Sequence, residues 1–232
     1  VRKQTPEPVA LLTDYAATTA YSTAFATAFA NIRFNWDQEQ HQQLSLLLTT
    51  PTDYTQRATA VANIAIAAAQ TGTPTLLVDA DFTTACLPQS FGLATTAGLS
   101  DLLQIDDLTA NQTQIQISQA ITKTSIPHLF LLGAGSGTQP LYETSRLLTA
   151  TFSQLLPGLR HFLATTTTQP GLIIFNSAPV LTQIDAATIS ACVDQTFLLL
   201  ASGQTTRKQS RLAREQLERA HAHLTGVILL DA

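Results

Sequence analysis

"LLLTTPTDYTQRATAVANIAIAAAQTGTPTLLVDAD", residues 46–81, decides the fold. Leu44 to Thr49 is a short apolar run bounded by turn residues, which reads as a buried strand. Gln56 to Gln70 is rich in alanine and reads as a helix, and Thr75 to Asp79 reads as a second buried strand. That strand runs out into two carboxylates, Asp79 and Asp81. In a strand–turn–helix–strand unit of this kind a phosphate sits in the turn, held by backbone N–H groups at the helix start. Yet the turn, "TPTDYTQRAT", contains neither glycine nor lysine.

Working outward, the alternation continues. Further strands are expected in "HLFLLGAG" (128–135), "GLIIFNSAPV" (171–180), "QTFLLLAS" (195–202) and "GVILLDA" (226–232). Helices are expected over 9–34, 98–104, 141–156, 185–193 and 205–221. "VRKQTPEP" (1–8) reads as a linker ahead of a single domain, 9–232, and "DQEQHQQ" (37–43) reads as a loop. Continuously apolar strands separated by helices imply an α/β fold, a doubly wound and mainly parallel sheet covered on both faces. Right-handed crossovers then bring every strand C-terminus to one edge, where sites in such folds lie. That edge collects the turn after Thr50, Asp79 with Asp81, the Gly133 loop and Asn176.

Composition narrows the function. The 232 residues suffice for one sizeable core. A net charge of −4 lacks the basic face that nucleic-acid binding needs, so no nucleic-acid partner is expected. Charged residues are only 12% of the chain, with Thr, Gln and Ala at the positions they would usually fill. Cys86 and Cys192 are far apart, without metal or redox spacing, and read as two buried thiols. No apolar run is long enough to span a bilayer. A chain that opens on Val1 and holds no methionine reads as a piece of a longer protein.

Four stretches, in order, resemble the P-loop domain of the bacterial tyrosine kinases (BY-kinases), which partner polysaccharide copolymerases in capsule and exopolysaccharide export. "AYSTAFATAFANIRF" stands where the family has E-A-x-R-x-x-R-T-N-I-R-F, and "VANIAIAAAQTGTPTLLVDADF" matches its helix and Walker A′ strand. "FGLATTAGLSDLL" matches F-G-L … G-L-S-D-L-L, and "IIFNSAPVLTQIDAATISACVDQTFLLLASGQTT" matches I-I-D-T-P-P-V-L with the following D-A and V-D. Min- and Par-type ATPases share this P-loop NTPase-like, deviant-Walker fold, but the P-V-L-x-x-x-D-A stretch favours the kinase branch.

The resemblance also locates what is degenerate. The family's P-G-E-G-K-S-T falls on Asp53, Tyr54, Thr55, Gln56, Arg57, Ala58 and Thr59. Tyr54 and Gln56 put side chains where glycines would let the backbone approach a phosphate. Arg57 keeps the lysine's charge on a larger fork, and Ala58 lacks the hydroxyl that would ligate Mg²⁺. Thr59 comes one residue too late. Asn176 stands at the Walker B aspartate, and an amide does not supply its negative charge. Asp79 and Asp81 keep the Walker A′ positions, which the family uses for Mg²⁺ and for activating the tyrosine hydroxyl. With their partner groups gone, they are expected to be solvated carboxylates capping a buried strand.

The resemblance therefore implies a catalytically silent pseudo-ATPase, with no ATP, Mg²⁺ or other metal site expected. It would act as scaffold or regulator of a membrane-embedded polysaccharide copolymerase, in the same chain or a partner chain, at the cytoplasmic face of the bacterial inner membrane. The alternative is an active ATP-dependent tyrosine autokinase using Arg57 for the lysine and Asp79 as base. The family's ring-forming E-x-x-R-x-x-R falls on Thr23, Ala26 and Phe29, so self-association is expected to be weak. Phe25 and Phe29 are expected in the core. Three further features have ordinary readings. "GAGSG" (133–137) is a loop before a helix, His221 and His223 do not share a helix face, and the mixed charges from Arg207 to Arg219 form an ion-paired surface.

Overall fold

The computed structural model describes residues 11–39, 42–94, 97–105, 111–137 and 139–231. The expected linker, 1–8, lies outside them. Among the described residues seven strands form one sheet: β1 (Gln43–Thr49), β2 (Thr75–Ala80), β3 (Ile121–Lys123), β4 (Leu129–Leu132), β5 (Gly171–Ser177), β6 (Gln195–Ala201) and β7 (Leu224–Leu230). Their spatial order is β3-β4-β2-β5-β1-β6-β7. All neighbours run parallel except β3, which is antiparallel to β4.

Helices cover both faces because the central strands bury both of their sides. Leu46 and Leu48 join one apolar cluster with α1 (Ala20–Glu39) and α2 (Arg57–Gln70). Leu47, between them, joins the other, built on α5 (Asn111–Ala120), α6 (Leu141–Thr166), α7 (Asp185–Ser190) and α8 (Arg207–Arg219). Short turns of helix, α3 (Leu87–Ser90) and α4 (Leu99–Leu102), follow β2. α2 is buried almost all round, since it lies between the sheet and α1, and its alanines allow that close approach.

Three boundaries depart from the sequence reading. The helix expected over 9–34 begins at Ala20, after a separate 3₁₀ turn at Leu12–Asp14 and an extended Tyr15. The Thr19 hydroxyl accepts from the Ser22 N–H at 3.1 Å, the bond by which a threonine starts a helix. At its other end α1 takes in Asp37 to Glu39, part of the expected loop. The helix expected to stop at residue 156 continues through Pro157 to Thr166. Leu155, Leu156, Leu159 and Leu163 are buried on either side of the proline, and each contributes about 1.5–3 kcal/mol against the proline's cost of about 3. The next residue is Gly158 because α5 crosses there; a Cβ would lie 2.6 Å from Ile117 Cδ1. Phe29 is buried, as expected, and Phe25 packs edge-on against Tyr21.

Candidate functional site

The C-terminal edge of β2, β5 and β1 brings together the residues that the sequence singled out. Asp79 and Asn176 are register partners on adjacent strands. The Asn176 side-chain amide donates to Asp79 Oδ1 at 2.9 Å, and the backbone N–H groups of Asp81 (3.2 Å) and Leu87 (3.3 Å) also donate to that carboxylate. Asp81 accepts from the N–H groups of Thr83 and Thr84 at 3.0 and 3.3 Å and from the Thr84 hydroxyl at 2.6 Å. Its Oδ2 also pairs with the Arg57 guanidinium.

This corrects the expectation of solvated carboxylates: Asp79 is 0% and Asp81 1% exposed. The reason is local. β2 ends under α3, and the loop after Asp81 turns back so that its N–H groups point at the two carboxylates. Burial pushes the Asp79 carboxyl up to about 6, the Asp81 charge adds to it, and the Asn176 and backbone donors oppose it. The Cys86 thiol beside them is raised to about 11 by burial and then by Asp79 and Asp81. Cys192 is half-buried rather than fully buried.

Residues 51–56 lead from β1 into α2 at this edge. None of them adopts the left-handed conformation, in keeping with a turn that lacks glycine. The Thr50 and Pro51 carbonyls accept from Val180 (2.9 Å) and Leu181 (3.1 Å), which ties the turn to the segment after β5. Asp53, Thr55 and Gln56 are exposed and Tyr54 is half-buried, its hydroxyl donating to Gln56 Oε1 at 3.2 Å. Burial raises the Tyr54 hydroxyl, and the nearby Asp231 charge at the end of β7 raises it further. Arg57 and Ala58, in the first turn of α2, are buried; Thr59 is half-buried.

Sequence reasoning missed two members of this cluster. Thr84 supplies two of the donors to Asp81. Asp185, at the start of α7, is fully buried. Burial raises its carboxyl, the Ser145 hydroxyl opposes that, and Asp81 adds to it. Asp185 was readable as the aspartate of the D-A pair; its burial was not.

The glycine cluster at 133–137 is engaged elsewhere. Leu99 and Ser100 donate to the Gly133 and Ala134 carbonyls at 2.8 and 2.9 Å, and Asp101 accepts from the Ser136 N–H and hydroxyl. A Cβ on Gly98 would lie 2.3 Å from the Gly133 carbonyl, so only glycine permits this approach. Among the described residues, no group of three or more His, Cys, Asp or Glu side chains is placed to hold a metal ion.

No family model matches the chain. Relatives do. The tyrosine-protein kinase CpsD of Streptococcus agalactiae is 25% identical over 199 residues, 85% of this chain and 80% of that protein. The tyrosine-protein kinase YwqD of Bacillus subtilis is 25% identical over 189 residues, 81% of this chain and 72% of that protein. Among solved structures, the chimerical protein CapA2B2 superposes with a TM-score of 0.74 at 26% identity, covering 95% of this chain and 88% of its own. The BceF tyrosine kinase domain follows at 0.72 and 27%, covering 93% and 81%. In sequence and in fold the chain is similar to BY-kinase-type, capsular-polysaccharide P-loop domains.

Proposed function

We propose that this is a catalytically silent BY-kinase-like domain, a scaffold or regulator for a membrane-embedded polysaccharide copolymerase in exopolysaccharide, capsule or lipopolysaccharide export. One observation carries the reading: the cation at the phosphate-binding lysine position, Arg57, is buried against Asp81, the second Walker A′ carboxylate. A guanidinium held there is not directed at a phosphate. Asp79 and Asp185 lie close enough to Asp81 to feel its charge, and Asp231 lies near Tyr54, so the edge presents negative charge to an anionic ligand.

The other positions support the same reading. Ala58 offers no oxygen to a metal ion, and Asn176 spends its amide on Asp79. The residues present therefore do not fit MgATP bound in the family's manner, and no chemical step is assigned to them. Charge-assisted hydrogen bonds contribute about 1.5–3 kcal/mol each. Losing two or three would weaken nucleotide binding by about two to six decades.

The second reading, an active tyrosine autokinase, is favoured by the names of the relatives and by the raised Asp79 carboxyl, which suits a base. A phosphoryl-transfer assay separates the two. With γ-labelled ATP and Mg²⁺, the silent domain incorporates no label on Tyr15, Tyr21, Tyr54 or Tyr142. Label on tyrosine that disappears in Asp79→Asn would establish the kinase. Docking to a copolymerase is tested separately, by co-purification of the domain with a membrane-embedded polysaccharide copolymerase.

A further inference from the structure

The two edges of the sheet are built differently. One ends in β3, three residues long, antiparallel and closed by the exposed Lys123. Short, charged edges of this kind resist pairing with another chain. The other ends in β7, seven residues long, which pairs only with β6 among the described residues. Its sequence, LTGVILL, contains no charge and no proline. Val227 and Leu229 are 57% and 66% exposed. Their register partners, Leu198 and Leu200, belong to the α8 side of the sheet, so both side chains lie beside α8 without being covered by it.

We propose that β7 is a self-association surface, through which two copies pair antiparallel about a twofold axis normal to the sheet at Ile228. Three features fit this geometry. Centred on Ile228, the pairing sets Val227 opposite Leu229 of the second copy, and Leu229 opposite that copy's Val227. Each exposed apolar side chain thereby gains a cross-strand apolar neighbour. The contact is isologous, so it closes at two copies and leaves no further β7 edge open.

Charge supplies the third feature. This axis keeps both α8 helices on one face of the joined sheet, running antiparallel on either side of the junction. The N-terminal half of α8 carries Arg207, Lys208 and Arg211; the C-terminal half carries Glu215 and Glu218 with Arg214 and Arg219. Antiparallel helices set the three cations of one copy toward the glutamate-bearing half of the other. A parallel arrangement would set the cations against each other. The pairs already present within α8, Arg211 with Glu215 at 3.7 Å and Arg214 with Glu218 at 2.6 Å, are exposed and free to re-pair across the junction.

Sedimentation of the 232-residue chain over about 1–100 µM tests the proposal. A reversible monomer–dimer equilibrium is expected. Val227→Lys with Leu229→Lys puts like charges opposite each other and should raise the dimer dissociation constant at least tenfold. Both positions are exposed, so the melting temperature of the monomer should be unchanged. Ile228→Cys, at the axis, should give a disulfide-linked dimer under mild oxidation, and Lys123→Cys on the opposite edge should not. A monomer throughout that range overturns the proposal. So does a dimer that persists in the double-lysine variant, or one that forms only with an added foreign peptide strand.

Discussion

An arginine–aspartate pair stands at each end of the central strands, and the two are buried to different depths. At the C-terminal edge, Arg57 and Asp81 are 6% and 1% exposed in their side chains. At the N-terminal edge, Arg160 of α6 and Asp194 before β6 are 35% and 18% exposed, 2.8 Å apart. Asp194 also accepts from the N–H (2.7 Å) and hydroxyl (2.8 Å) of Ser45, so this pair fastens α6, β1 and β6 together in a half-solvated place. Its desolvation cost is modest and its purpose is architectural. The upper pair holds two opposite charges almost wholly out of water, with Asp79 and Asp185 buried close by. A fold that needed only stability would gain as much from apolar side chains there. The contrast separates what holds the sheet together from what remains of a site.

Removing one partner from each pair should sharpen that contrast. Arg57→Ala leaves Asp81 buried without its cation and should cost about 3–5 kcal/mol in denaturant unfolding. Replacing both charges, Arg57→Met with Asp81→Asn, which keeps an acceptor oxygen for the Thr83 and Thr84 N–H groups, should recover most of that loss. If the single and double variants are equally destabilised, the pair is not the uncompensated charge problem described here.

The next effect is pH-dependent. Because the folded Asp79 carboxyl is raised to about 6, the folded state holds this proton more tightly than the unfolded chain does. Its contribution to stability is therefore present below about pH 4 and lost as pH rises through about 6, by about 3 kcal/mol. Asp79→Asn cannot titrate. Its stability relative to the parent should rise by about that amount between pH 4 and pH 7, and a difference that is flat or falls with pH would contradict the buried, raised carboxyl.

Arg160→Ala should cost less than Arg57→Ala, about 1–2 kcal/mol, since Asp194 keeps its Ser45 donors and some water. The smallest effect belongs to the surface of α8. Glu218→Ala should move the melting temperature by less than about 1 °C, because exposed pairs of this kind are screened.

The architecture was legible because it follows from long-range regularities. Strands buried on both faces read as apolar runs, and the alanine-rich stretch of α2 reads as a helix. The shared crevice of Asp79 and Asn176 followed from strand polarity alone, and their side chains hydrogen-bond. Other features depend on atoms that meet only after folding. Nothing in the spacing of Arg57 and Asp81, 24 positions apart, reveals that the arginine turns inward to the carboxylate. The burial of Asp79 and Asp81 comes from the loop after β2 and from α3, whose short helix carries no periodic signal. β3 is only three residues long, too short for alternation to register, and the sequence reading passed over it together with α5. The continuation of α6 beyond Pro157 was hidden because proline is a reliable stop only where the following turn has no apolar face to bury.

The central claim, that the charge at the phosphate turn is turned inward and nucleotide binding is lost, is tested most directly by melting the chain with and without MgATP. A working site with a dissociation constant of about 10 µM, given about 1 mM MgATP, would stabilise the folded state by about 2.7 kcal/mol. For a domain of this size that is a rise of about 5–11 °C. A shift below about 1 °C is expected with MgATP or MgADP, and the same small response in Asp79→Ala. A large magnesium-dependent shift that is absent in Arg57→Ala, each measured against its own nucleotide-free baseline, would contradict it.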